Sequence, residues 1–157
     1  MKFATLPNLL IKITSTFFFI GYLPLIPGTF GSIAGVGIFC LFNGGSSSGY
    51  FLFIICIIVL GLLSSGQMEE LLKKKDPGCI VIDEVMGMLI ALSFLPAEPK
   101  IIILAFFIFR ILDTLKPFPA GRLQNLHVAI GIMGDDLVAG VYTSIVLQLI
   151  LNLFKTV

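Results

Sequence analysis

Charge is scarce in this chain, and side chains that ligate soft metals are scarcer. Only 12% of its 157 residues are charged, there is one histidine, and the three cysteines Cys40, Cys56 and Cys79 show no C-x-x-C or metal-site spacing. That pattern excludes a thiolate metal centre, a redox pair and a disulfide framework. The three cysteines are expected to be small packing residues. No basic patch exists outside Lys73–Lys75 and the net charge is +1, which excludes nucleic-acid binding. Near the N-terminus, Lys2 and Lys12 flank a mixed stretch, and no small-residue cleavage site follows a clean apolar core. A removable signal peptide is therefore not expected.

What the chain has instead is hydrocarbon. Hydrophobic residues make up 57% of it and the mean hydropathy is +1.09, far from the balance of soluble domains. The composition is that of an integral membrane protein, and the length suits one domain covering 1–157. Apolar runs fall at about 29–42, 50–72, 79–95, 100–115 and 135–154, separated by NGGSSSG, KKKDPG, LPAEP and the long segment 116–134. The predicted fold is all-α, a polytopic membrane bundle of about five spans. Several runs fall short of the roughly 20 residues that cross a bilayer, so polar helix ends or local thinning must complete them. Residues 8–22 form a further apolar stretch, interrupted by Lys12 and followed by Pro24 and Pro27. It is expected to be an interfacial or re-entrant helix.

Two independent features give one orientation. Lys73, Lys74, Lys75, Lys116 and Arg122 lie in the loops after the second and fourth runs, which the positive-inside rule assigns to the cytoplasm. Alternating the five runs also brings PGTFGS (27–32), IDE (82–84), FRILDTLKP (109–117) and GDD (134–136) to that same face.

Five of the nine acidic residues are set in these apolar segments: Asp83, Glu84, Asp113, Asp135 and Asp136. A charge near hydrocarbon costs of order 2.5–3.5 kcal/mol, so such groups need partners. Asp76-Pro77 is expected to start a helix as cap and first residue, placing Asp83 and Glu84 about two turns inside. Neighbours on a helix point about 100° apart, so one member of each acidic pair faces inward. Asp83 shares a face with Gly87 and Asp136 with Gly140, and small residues let membrane helices approach. Asp83 and Asp136 are thus expected to face the bundle, with Glu84 and Asp135 beside the same site or supporting it from behind. Acidic pairs at helix starts can instead serve only the helix dipole, at about 0.3–1 kcal/mol each.

Arg110, Asp113 and Lys116 recur every three residues on one helix face. They form either a plain intramembrane ion pair or a metal ligand beside two phosphate-binding cations. PGTFGS offers the hydroxyls of Thr29 and Ser32 and a helix start suited to an anion, or merely a turn capped by Thr29. His127 and Arg122, in the 116–134 loop, are candidate substrate contacts, although a lone loop histidine is often just polar. Glu69, Glu70 and Lys73–Lys75 suit the solvated end of the second helix.

Several carboxylates without a Cys/His cluster favour a hard cation, most plausibly Mg²⁺, and adjacent basic residues suit phosphate chemistry. No C-x5-R or D-x-D-x-T stretch marks a covalent phosphoenzyme, so direct attack by water activated at the ion is the simpler expectation. The blocks PGTFGS, DPGCIVIDEVMG (76–87), FRILDTLKPFP (109–119) and GIMGDDLVAG (131–140) together resemble, in order, the signatures of the phosphatidylglycerophosphatase A family, over roughly Gly21 to Leu149. The resemblance implies a Mg²⁺-dependent lipid phosphatase of the bacterial inner membrane that converts phosphatidylglycerophosphate to phosphatidylglycerol and phosphate. It also implies that Asp83, Glu84, Asp113, Asp135 and Asp136 are its catalytic and metal-binding acids. Thr29, Arg110, Lys116 and His127 lie in or beside the same blocks. Phe106, Phe109 and Phe118 could line an acyl entrance. Two rivals are a CDP-alcohol phosphotransferase, whose D-G-x-x-A-R signature is absent, and a divalent-cation transporter or channel, whose acids should form a path across both faces. The stripe GSIAGVG suits a homodimer or packing within one bundle equally.

Overall fold

The computed structural model describes residues 6–42, 47–123 and 128–155, and every regular element among them is helical. In order they are α1 (Leu6–Ser15), a 3-10 turn (Ile20–Tyr22), α2 (Pro27–Leu41), α3 (Ser48–Leu72), α4 (Ile82–Leu92), α5 (Pro99–Leu115), α6 (Ala120–Leu123) and α7 (Val128–Lys155). Local chemistry explains most ends. Pro27 and Pro99 open α2 and α5, where a missing N–H costs nothing. The Ser47 hydroxyl accepts the Tyr50 N–H (3.2 Å) to cap α3. Lys73 and Lys116 close α3 and α5 in the left-handed conformation, and Pro117 prevents α5 from continuing.

The helices α3 (25 residues) and α7 (28 residues) are long and apolar enough to cross a membrane. The α2, α4 and α5 helices have 15, 11 and 17 residues and fall short of that length. The outward faces of α2 and α5 are nevertheless apolar, with Ile33, Ile103, Phe107 and Ile111 exposed, as are Leu52 and Leu63 of α3 and Leu149 of α7. Cys40 and Cys56, expected in the packing, lie on this outer surface.

At the centre is α4, apolar all round beyond its first-turn Asp83 and Glu84 and buried on nearly every side, as such a helix must be. It contacts α2, α3, α5 and α7. Glycines bring the backbones together: Gly31 and Gly35 of α2 lie against Val81 and Met88, and Gly140 of α7 lies against the Gly87 carbonyl. The α2 stripe is thus used within the bundle, except Gly37, whose side is open.

Three boundaries differ from expectation. Asp76 caps nothing: its backbone is left-handed (φ 45°) and its N–H donates to Glu69 Oε1 (2.5 Å). A helix begun at Pro77 would need the Val81 N–H for its own ladder, but that group donates to the Ser15 carbonyl (3.0 Å), so α4 starts at Ile82. Asp83 and Glu84 therefore occupy the first turn instead of lying two turns in. Conversely, α7 begins at Val128, inside the segment expected to be a loop, which leaves Asp135 and Asp136 two turns within the helix. Finally, the expected helix at 8–22 ends at Ser15, where the chain reverses through left-handed Phe17, Phe18 and Phe19 to lay Gly21 under the Cys79 carbonyl.

Candidate active site

The Gly87–Gly140 crossing sets the site. One helical turn before each glycine stand Asp83 and Asp136, 8% and 3% exposed, facing each other across the α4–α7 contact. Glu84 joins them, and one carboxylate oxygen from each of the three lies within 4.8 Å of the others. Glu84 Oε2 is buried without a hydrogen-bond partner. Asp83 and Asp135 each accept the N–H of the next residue (3.1 Å), which turns their second oxygens away from the helix.

Around the trio stand two cations, each held by its own carboxylate. Arg110 Nη1 donates to Asp113 Oδ2 at 2.9 Å, and Lys116 Nζ donates to Asp135 Oδ2 at 2.6 Å. Asp113 acts electrostatically on both Glu84 and Asp136, so it belongs to the same cluster. Partial burial alone would lower the Lys116 pKa. The hydrogen bond and charge of Asp135, with Asp113 and Asp136 behind it, outweigh that and raise it, keeping the ammonium charged. Among the described residues the trio has no ion pair of its own. Two unit charges 4 Å apart repel by about 4 kcal/mol at an effective dielectric constant near 20. The helix dipole, worth about 0.3–1 kcal/mol, can serve Asp83 and Glu84 in their first turn but not Asp135 and Asp136 inside α7. Converging hard oxygen donors, one of them orphaned, fit a Mg²⁺-type cation.

The sequence model of the phosphatidylglycerophosphatase A family matches residues 13–151, nearly the whole chain and the entire cluster. The chain belongs to the phosphatidylglycerophosphatase A family. Phosphatidylglycerophosphatase A of Escherichia coli K12 is 37% identical over 132 residues, covering 83% of this chain and 77% of the relative. That of Haemophilus influenzae is 36% identical over 124 residues, 76% of each. A Bacteroides thetaiotaomicron protein provisionally named phosphatidylinositol-3-phosphatase is 28% identical over 156 residues, 90% of this chain and 93% of that one. No solved structure matches. As a member of the family the chain is a phosphatase, a hydrolase.

Other candidates in this family member divide. The start of α2 reaches the site through Gly28, whose missing side chain leaves room beside Glu84 and Arg110: a Cβ there would sit 3.1 Å from Glu84 Cδ and 3.4 Å from Arg110 Nη1. Thr29 follows, half-buried in the first turn, and does not cap α2, because the cap position is Ile26. Ser32 is fully buried and its hydroxyl donates back to the Gly28 carbonyl (3.0 Å), so it faces its own helix. Arg122 lies over the Phe118 ring, 4.9 Å from its centre, and is not brought to the carboxylates. His127 lies outside the described residues. Of the phenylalanines expected at an acyl entrance, Phe109 is fully buried against Gly87 and cannot line one. Gly28 is the contact that sequence reasoning missed. It lies within PGTFGS, where the side-chain signal comes from the hydroxyls around it.

Proposed function

We propose that this chain hydrolyses the phosphomonoester of phosphatidylglycerophosphate to phosphatidylglycerol and inorganic phosphate, with Mg²⁺, at the cytoplasmic face of the bacterial inner membrane. The supporting observation is the meeting of a carboxylate trio with two cations tethered to separate carboxylates. The substrate follows the names of the E. coli and H. influenzae relatives. Asp83, Glu84 and Asp136 would hold the ion. When bound, Mg²⁺ supplies the positive charge the trio lacks and the Lewis acidity that phosphate hydrolysis requires.

The chain's own residues account for positioning. Arg110 presents a planar fork to two phosphate oxygens and Lys116 a point charge to a third. Asp113 and Asp135 keep those cations from collapsing onto the trio. Gly28 leaves the space that the phosphate and the Glu84 carboxylate share. Water adds at phosphorus, the bond to the glycerol oxygen breaks, and that oxygen leaves as an alcohol after taking a proton. The basic loops after α3 and α5 support a cytoplasmic position for this end of the bundle. A homodimer through the glycine stripe of α2 would be left the Gly37 side, since Gly31 and Gly35 are packed on Val81 and α4.

Cation transport is favoured less, because it needs a polar path along the bundle. Past the trio, α4 presents Met86, Leu89 and Leu92 and ends at Ser93, whose carbonyl accepts from neutral Ser144 (3.1 Å) and Gln148 (3.4 Å). The deciding experiment is phosphate release from phosphatidylglycerophosphate by the detergent-purified protein, with Mg²⁺ and with a chelator. Release that needs Mg²⁺ and is lost in Asp113→Asn is expected. Turnover surviving in that variant would remove the site from the chemistry. The B. thetaiotaomicron relative makes phosphatidylinositol 3-phosphate the second substrate to assay, and faster release from it would reassign the head group.

A further inference from the structure

On the outer side of α5, a shallow cavity of about 350 Å³ is lined by Phe107, Arg110, Ile111, Thr114 and Leu115. Its walls are side chains of one helix and almost all hydrocarbon. Ile103, Phe107, Ile111 and Leu115 recur every four residues and are all exposed, so they form one stripe about 18 Å long at roughly 1.5 Å per residue. An apolar outer stripe alone would mean only contact with bilayer lipid. The arginine makes this one different.

Arg110 is common to the groove and to the carboxylate site. Its aliphatic stem lines the groove, while Nη1 reaches Asp113 and lies beside Gly28, which abuts the Glu84 carboxylate. Among the described residues its side-chain hydrogen bonds use Nη1 alone, out of the five N–H donors a guanidinium carries. Thr114 adds no competing polarity, since its hydroxyl donates to the Arg110 carbonyl (2.8 Å). An occupant that satisfies both ends has an anionic oxygen-rich head at Arg110 and a hydrocarbon tail running back along Ile111, Phe107 and Ile103.

We infer that this groove on α5 is the acyl-chain seat for a lipid bearing a terminal phosphomonoester, with Arg110 joining tail seat to head site. This rests on the lipid-phosphatase function proposed above, and it adds where the tail lies. Of the entrance expected at Phe106, Phe109 and Phe118, it replaces Phe109, which is packed inside the bundle.

The chain has no tryptophan, so Ile111→Trp introduces a single, selectively excitable indole into the groove. The protein is placed in phosphatidylcholine nanodiscs containing a minor fraction of either brominated-chain phosphatidic acid or brominated-chain phosphatidylcholine. Quenching should be at least twofold stronger with the phosphomonoester lipid at equal fraction. The excess should vanish when Arg110→Gln is added. Leu63→Trp, on the exposed face of α3, should show no preference. Equal quenching by the two lipids at position 111, or the same preference at position 63, would overturn the assignment. Because the readout is proximity and not turnover, it separates the two ideas. Preferential quenching without phosphate release keeps the groove and rejects the reaction, while phosphate release with equal quenching does the reverse.

Discussion

At the proposed site, Asp136 is the residue at which stability would be traded for function. Its carboxylate is almost wholly buried beside those of Asp83 and Glu84, and the nearby cations are engaged by Asp113 and Asp135. Without an ion the trio therefore works against folding, and with one it would become a link between α4 and α7. Asp136→Asn removes one charge of the three. In chelator the variant should melt at a higher temperature than the unsubstituted protein. With Mg²⁺ the order should reverse, because an ion at a hundred times its dissociation constant adds about 2.7 kcal/mol to the protein that binds it. Thermal midpoints of both proteins, with and without Mg²⁺, test this. An equal Mg²⁺ shift in the two would exclude Asp136 as a ligand.

Among the elements, α4 decides the architecture, and two of its glycine contacts differ in kind. A Cβ at Gly87 would meet the Phe109 ring at 2.7 Å and the Asp136 carbonyl at 2.8 Å, neither of which can swing aside. Gly87→Ala should destabilise by about 1–3 kcal/mol through forced separation of α4 from α5 and α7. At Gly28 the obstacles are the tips of Glu84 and Arg110, which can move. Gly28→Ala should fold nearly unchanged but lose roughly 10²-fold in turnover, as displaced ligands do. Thermal midpoints and phosphate release on the same two samples check the contrast, and an equally early melt for both would refute it. The 83/87 and 136/140 spacings were legible in the sequence because close helix contact demands small residues at one-turn intervals. The start of α4 was not, since the Val81–Ser15 hydrogen bond that sets it joins segments far apart in the chain. The start of α7 was hidden by Gly134, which looks like a helix breaker. It is instead a packing site, where a Cβ would lie 3.3 Å from Leu123 of α6.

Across the whole molecule, the depth of the site follows from α3. Gly61 of α3 lies beside Met133 and Ile82, so the carboxylates start at the level where YFLFIICIIVLGLL gives way to SSGQMEE. The buried hydroxyls of Ser64 and Ser65, without hydrogen-bond partners, mark the same level. From there α3 continues to Leu72 as a polar extension, and Lys73–Lys75 follow. A headgroup at the membrane surface would thus meet the cluster at the foot of that extension, while the tails face apolar α5. Positive-inside logic predicts the direction: the lysines in the cytoplasm and Ser48, at the other end of α3, outside. Lys74 and Ser48 are both exposed. With Cys40, Cys56 and Cys79 replaced by alanine, Lys74→Cys should react with a membrane-impermeant maleimide only in inside-out vesicles, and Ser48→Cys only in intact spheroplasts. Labelling of both positions from one side would mean that α3 does not cross the membrane. The reversed pattern would place the carboxylates outside, where a lipid phosphate made at the inner leaflet could not reach them.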